Sequence, residues 1–325
     1  MKLLKLVPDD TNIRFLRWRV PFYTVSLLLM AASLALVFTK GLNFGVDFEG
    51  GQMIRATFTQ SAEAPVAELR ENIDQLGYGE PTIQRFGKPN EVSIRMKLPE
   101  GAESKPELAD AMAKEITAQI RQDHPDVRID GVDSVSGKVS DELWTTGALA
   151  LGLAMIAISI YIWMRFEWQF GVGALFALLH DVTLTVGLFA LTQMEFDLNI
   201  VAALLTLIGY SLNDNIVVYD RVRENLKKYR RMPLAELLDL SVNETLSRTI
   251  VTSTSLLITL LALLLLGPDV IFGFTAAITL GIFVGTYSSI YMSTPILIWL
   301  NVNPNSFVPQ ETDIERQDRL ARERG

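Results

Sequence analysis

Six apolar runs decide what this chain can fold into. Residues Val20 to Phe38, Leu143 to Met164, Phe170 to Leu191, Leu198 to Tyr219, Thr249 to Leu266 and Val270 to Leu300 are each long enough to cross a bilayer core of about 30 Å. Lipid offers no partner to a backbone N–H or C=O, so each run must bond to itself and become an α-helix. The last run is the longest, and Pro295 in "STP" lacks a backbone donor, so this run is expected to tilt or to break there. Charged residues nevertheless make up 20% of the 325, an ordinary share for a soluble protein, which implies a second, water-exposed part.

Positive flanks set the orientation, because they stay in the cytoplasm. Lys2, Lys5, Arg14, Arg17 and Arg19 precede the first run, Arg165 follows the second, and Arg221, Arg223, Lys227, Lys228, Arg230 and Arg231 follow the fourth. The tail adds Arg316, Arg319, Arg322 and Arg324, whereas the opposite connections "TQMEFDLN" and "GPD" hold acids and no Lys or Arg. Both termini are therefore expected inside. The first run is too long for the apolar core of a signal peptide and reads as an uncleaved helix. The expected organisation is a cytoplasmic N-terminus and first span (1–39), an extracytoplasmic domain (40–142), a bundle of five further spans (143–300) and a cytoplasmic tail (301–325). Within the bundle, residues 220–247 form a cytoplasmic loop whose "PLAELLDLSVNETL" has amphipathic spacing and is expected to lie at the headgroups.

Residues 40–142 are too many for a plain loop. "GQMIRATFT" alternates like a strand, and "SAEAPVAELRENIDQLG" reads as a helix with Ser61 placed to cap it. "PTIQRFG" and "NEVSIRMKL" are strands around the turn "GKPN". "SKPELADAMAKEITAQIRQ" is a second helix with Ser104 as cap and Pro106 in its first turn, and "VRIDGVDSVS" is a last strand. The order βαββαβ is the ferredoxin-like pattern. The fold class is thus a polytopic α-helical membrane protein of six transmembrane helices carrying a small α+β ferredoxin-like domain.

The chemistry lies in polar residues inside the spans. An aspartate near the middle of a membrane helix costs roughly 2.5 to 3.5 kcal/mol on insertion scales, so Asp214, between Asn213 and Asn215, needs a cation or a proton. The fifth span places Thr245, Arg248, Thr252, Ser255 and Thr259 on one helical face. Asp214 and Arg248 fall at similar depth and are suited to pair, with Asn213, Thr252 and Ser255 in support and the hydroxyls holding a water chain. Two roles are open: a proton relay, or a fixed bond that fastens two helices. His180 and Asp181 are weaker relay candidates; lying about 100° apart on their helix, they are not expected to bond to each other. Asp220, beside Arg221, is expected to set the cytoplasmic edge. Gly273, Ala277, Gly281, Gly285 and Ser289 recur every four residues and suit close helix packing. In "GLNFGVDFEGGQM", Gly45, Gly50 and Gly51 flank Asp47 and permit a hinge-like turn into the domain.

Other function classes lack their residues. The chain has no cysteine and two histidines, which leaves no disulfide, thiol nucleophile or thiolate metal site. No triad, P-loop or metal-ligand set is recognisable, so neither an enzyme nor a cofactor is expected, and energy would come from a gradient or a partner. The net charge of -8 reflects acids in the outside domain, and nucleic-acid binding has no support.

"GLNFGVDFEGG", "VSGKVSDEL", "MRFEWQFGVGALFALLHDV", "LNIVAALLTLIGYSLNDNIVVYDRVREN" and "VNETLSRTIVTSTSLLITLLALLLLG" resemble the SecF branch of the bacterial SecD/SecF family, which is similar to one half of the resistance, nodulation and division (RND) transporters. The resemblance covers nearly the whole chain. It implies residence in the cell inner membrane, a complex with SecD, association with the SecYEG channel and often YajC, contact with membrane lipids, and use of the proton-motive force to help unfolded preproteins across. The family's intramembrane Asp and Arg fall on Asp214 and Arg248, while Asn215 stands where many relatives have Thr and Tyr219 where Phe is common. Two rivals are a proton-coupled exporter of small molecules or lipids, and a scaffold for SecD without transport activity. For the topology, a cysteine at Glu91 is expected to react with an impermeant reagent from the periplasmic side of intact cells; reaction only after lysis contradicts it.

Overall fold

The computed structural model describes residues 7–8, 11–85, 88–98 and 106–302. Ser104, Gly87, Lys2, Lys5 and the tail arginines lie outside these residues. A single 3-10 turn, Phe15–Trp18, leads into the first membrane helix α1 (Arg19–Thr39). A two-residue strand β1 (Asn43–Phe44) and a short helix α2 (Val46–Glu49) then carry the chain into the βαββαβ domain.

That domain consists of β2 (Gly51–Phe58), α3 (Val66–Asp74), β3 (Thr82–Arg85), β4 (Glu91–Met96), α4 (Pro106–Asp123) and β5 (Val127–Val135). Its strands form one antiparallel sheet in the order β3-β4-β2-β5, the ferredoxin-like arrangement implied by the sequence pattern. Alternation puts Ile54, Ala56 and Phe58 of β2 and Val92, Ile94 and Met96 of β4 on the face that α3 and α4 cover with Leu69, Ile73, Met112 and Ile116. Two expectations fail here. Ser61 does not cap α3: Pro65 occupies that position without a side-chain bond, because residue 64 is held by its backbone N–H on Pro89 O at 2.9 Å and proline fixes the turn that follows. Glu91 is only 2% exposed and ion-paired to Lys88, so the exposed Glu71 on α3 is the proper labelling position.

The remaining spans are α5 (Gly137–Arg165), α6 (Trp168–Thr192), α7 (Leu198–Lys228), α8 (Leu234–Leu266) and a last stretch made of α9 (Phe272–Ser288) and α10 (Thr294–Trp299). All six have the length and apolarity to cross a membrane. Helices α6, α7 and α9 are the most buried, while α1, α5 and α8 are largely exposed around them. The last run breaks where its proline requires: residues Ser289–Ser293 are π-helical, and the hydroxyls of Ser293 and Thr294 both donate to Ser289 O, at 2.7 and 2.9 Å.

The connection between α7 and α8 differs from the expected one. Instead of a loop over 220–247 with a helix lying at the headgroups, α7 and α8 run on as long helices and leave only residues 229–233 between them. The amphipathic face of "PLAELLDLSVNETL" packs on protein rather than lipid. Leu237, Leu238 and Val242 join the core, Asn243 Oδ1 accepts from Ile13 N at 2.9 Å, and Asp239 Oδ1 accepts from Leu16 N at 2.9 Å. Arg165 closes the edge with Asp220 at 2.7 Å.

The small residues of α9 face α7. A Cβ on Gly281 would run into the buried side chain of Leu207, and one on Gly285 would lie 3.4 Å from the Ser211 Cβ. Gly281→Leu is expected to cost about 1–3 kcal/mol of stability by overpacking, read as a lower Tm of the purified chain; an unchanged Tm contradicts this packing. For topology, Glu71→Cys takes the place of Glu91→Cys in the labelling experiment, with the same expected result.

Candidate intramembrane polar site

Helix α7 is positioned from its N-terminal end. Asp197 caps it, accepting from Ile200 N at 3.1 Å, and Asp47 Oδ2 accepts from Leu198 N at 2.9 Å, so two carboxylates meet the positive end of the helix dipole. Beside them, Phe44 of β1 pairs with Phe196 of β6 (Glu195–Phe196), a parallel ladder that joins the segment after α1 to the segment after α6. The residues read as a hinge are thus held in place: Gly45 N donates to Phe196 O at 3.0 Å, and Gly51, at φ +117, sits where a Cβ would be 2.5 Å from Met96 O. Arg95 of β4 ties the domain to the same joint, donating to Phe44 O and to Asn43 Oδ1 and pairing with Glu49 at 3.1 Å. Burial pushes the Glu195 and Asp197 carboxyls above the usual carboxylate range. A cavity of about 220 Å³ lies between the helix-free face of the sheet, at Arg55 and Ser93, and the bundle's outer end at Glu195 and Phe272.

Asp214 lies 16 residues into α7, about 24 Å from its N-terminal end. It is only 3% exposed, and its Oδ2 has no hydrogen-bond partner. The groups acting on it from α8 are the charge of Arg248 and the hydroxyl of Thr249. The expected Asp214–Arg248 ion pair is absent among the described residues, because Arg248 points to the exposed side of α8 while Asp214 is buried. Asn213, Thr252, Ser255 and Thr259 are exposed as well. Thr245, Thr252 and Thr259 donate to carbonyls of their own helix one turn earlier, at 3.0, 3.0 and 3.2 Å.

His180 and Asp181 form the bond that helical spacing argued against, with His180 Nδ1 2.9 Å from Asp181 Oδ1. Their Cβ atoms diverge, yet both side chains are fully buried, where an unbonded polar group is costly, and they turn to each other. Asp181 Oδ2 also accepts from Ser211 of α7 at 2.6 Å and from Ser288 of α9 at 2.9 Å. Sequence reasoning missed both serines. Ser211 precedes Asp214 by nearly one turn, a spacing that marks it; Ser288 sits beside the small-residue stripe, on a face fixed only by the three-dimensional packing. A second cluster joins Tyr210, Ser253 and Thr286 across α7, α8 and α9, at 3.0 and 2.7 Å. Among the described residues no group of His and acidic side chains could hold a metal ion.

Two family models match the chain: "Protein export membrane protein SecD/SecF, C-terminal" over residues 115–303 and "SecD/SecF GG Motif" over residues 35–62. The second covers the joint around Gly50 and Gly51. The chain is similar to the protein translocase subunit SecF of Cereibacter sphaeroides, 45% identical over 92% of this chain and 93% of the relative. It also resembles SecF of Vibrio alginolyticus, 38% identical over 96% and 98%. Among solved structures it resembles SecDF, a translocon-associated membrane protein from Thermus thermophilus, with a TM-score of 0.79 and 35% identity over 91% of this chain, which spans 40% of that one. Against a SecDF structure in a super-membrane-facing form, with equal coverage, the TM-score is 0.63. On these matches, the chain belongs to the SecD/SecF family of protein export membrane proteins.

Proposed function

We propose that the chain is the six-helix half of an accessory complex of the Sec translocase, and that it promotes preprotein export by coupling proton passage at Asp214 to movement of its outside domain. The carrying observation is the buried Asp214 carboxylate, left without an ion pair and facing a cation on an exposed helix face. Inside a membrane such a group must take a proton or gain a partner. Lipid cannot serve the polar face made by Arg248, Thr252, Ser255 and Asn213, so protein must cover it. SecD, as the other half, is the occupant this reading assigns, with the SecYEG channel, YajC and the unfolded preprotein as further contacts. Both termini are cytoplasmic in this reading and the βαββαβ domain is periplasmic.

The transmission route is α7 itself. It carries Asp214 at its middle and the Asp47 contact to the domain joint at its outer end. One charge crossing roughly 100 mV is worth about 2.3 kcal/mol, enough to bias two arrangements of a bundle that differ by a few kcal/mol. The two solved forms of related SecDF chains support such a pair of arrangements.

Asp214→Asn is expected to assemble normally and to lose gradient-dependent stimulation of preprotein export in vesicles holding the full complex. Wild-type stimulation in that variant removes the relay and leaves a scaffold. Arg248→Lys keeps the charge without the planar fork and is expected to lower the stimulation severalfold without abolishing it; full activity would mean that only charge matters at that position.

A further inference from the structure

His180 and Asp181 are both 0% exposed, near the middle of α6 and about 17 Å from its outer end. Three donors converge on the Asp181 carboxylate: His180 Nδ1 at 2.9 Å on Oδ1, and the Ser211 and Ser288 hydroxyls at 2.6 and 2.9 Å on Oδ2. The two hydroxyls donate to the carboxylate, and the imidazole is held with Nδ1 towards it. The opposite ring nitrogen, Nε2, is buried with no hydrogen-bond partner. The Tyr287 ring lies against the imidazole at 6.1 Å, but its hydroxyl is turned away to Ser26 of α1 at 2.8 Å. The groups acting on Asp181 are His180 on α6, Ser211 on α7 and Ser288 on α9, none of them Lys or Arg. Gly285 of α9 leaves space beside it, its added Cβ falling 3.5 Å from Asp181 Oδ2.

This geometry leaves one place for a proton to come and go. With Nδ1–H on the carboxylate and Nε2 bare, the pair carries a negative charge that no described cation balances; a proton on Nε2 makes it a neutral ion pair. The change in charge is felt first by Ser211, whose short bond to Asp181 is charge-assisted. Ser211 sits on α7 just outward of Asp214, and its carbonyl accepts from Asn215 Nδ2 at 3.0 Å. Asn215 Oδ1, like Asp214 Oδ2, is buried without a partner.

We infer that the His180–Asp181 pair is a second proton-binding site, which takes its proton at His180 Nε2 and is coupled through Ser211 to the helix that carries Asp214. The inference rests on the relay reading of Asp214 and extends it by one station towards the outside. A site of this kind differs from a fixed pin of three helices, because a pin holds the same proton at every pH.

The chain's two histidines make the test direct. The full chain, purified through a tag without histidine and reconstituted in lipid with ¹⁵N-labelled histidine, gives side-chain NMR signals from His124 and His180 only; His124→Gln assigns them. The His180 Nε2 signal is expected to pass from an unprotonated to a protonated nitrogen between about pH 9 and pH 5, with a midpoint that moves in Asp214→Asn and in Ser211→Ala. A His180 signal unchanged over that range overturns the inference and leaves Asp214 as the single site. A titrating signal whose midpoint is the same in Asp214→Asn and Ser211→Ala overturns the coupling. Failure of the relay reading is seen separately, as full export stimulation by Asp214→Asn in the complex.

Discussion

A carboxylate taken out of water must find donors, a cation or a proton, and the inner bundle is arranged around two answers to that requirement. Asp181 is given donors: one imidazole and two hydroxyls from three helices converge on it. Asp214, about a turn and a half further in, is left short of them, with an unbonded oxygen and an arginine within electrostatic reach but unpaired. The same bilayer makes the first arrangement a meeting point of three helices and leaves the second short of partners. On the same α9 that brings Ser288 to Asp181, Gly281 packs against Leu207 of α7 where a Cβ would collide.

The βαββαβ domain is bound into this arrangement rather than hung from it. Arg95, Asn43 and the β1–β6 ladder fix its sheet to the connections after α1 and α6. The aromatic side chains of Phe44, Phe48, Trp144 and Phe196 pack edge to face around the same point, with centroids 5.3 to 5.9 Å apart in the contacts Phe44 makes. A displacement of α7 along its axis reaches the domain at Asp47. The positive φ of Gly50 and Gly51 lets the chain turn straight from that contact into β2, so the glycine pair connects a pinned end to the edge of a rigid sheet.

Much of this was legible in the sequence because the bilayer writes strong signals. Apolar run length gave the six spans, period-two and helical spacing gave the βαββαβ order, and a lone aspartate in an apolar helix marked Asp214 on cost alone. The rest depended on where each helix faces its neighbours, which one-dimensional spacing does not carry. The His180–Asp181 bond needs two diverging side chains to share a pocket made by other helices. Arg248 shares depth with Asp214 but lies on the exposed side of α8, a rotation that spacing along α8 does not fix relative to α7. The segment 234–247 has the amphipathic pattern of a headgroup helix, yet its apolar face is covered by α7 and the N-terminal segment. Ser61 lost the cap position to Pro65 through a contact with the β3–β4 turn, distant in sequence.

The account stands on Asp214 exchanging its proton within the membrane. Infrared difference spectroscopy of the complex in lipid, taken as the pH is stepped, reads this through the carbonyl stretch of a protonated carboxyl group. A band that appears as the pH falls and is missing in Asp214→Asn is the predicted result. The same bands in wild type and variant at every pH would contradict the account and reduce Asp214 to a structural polar group.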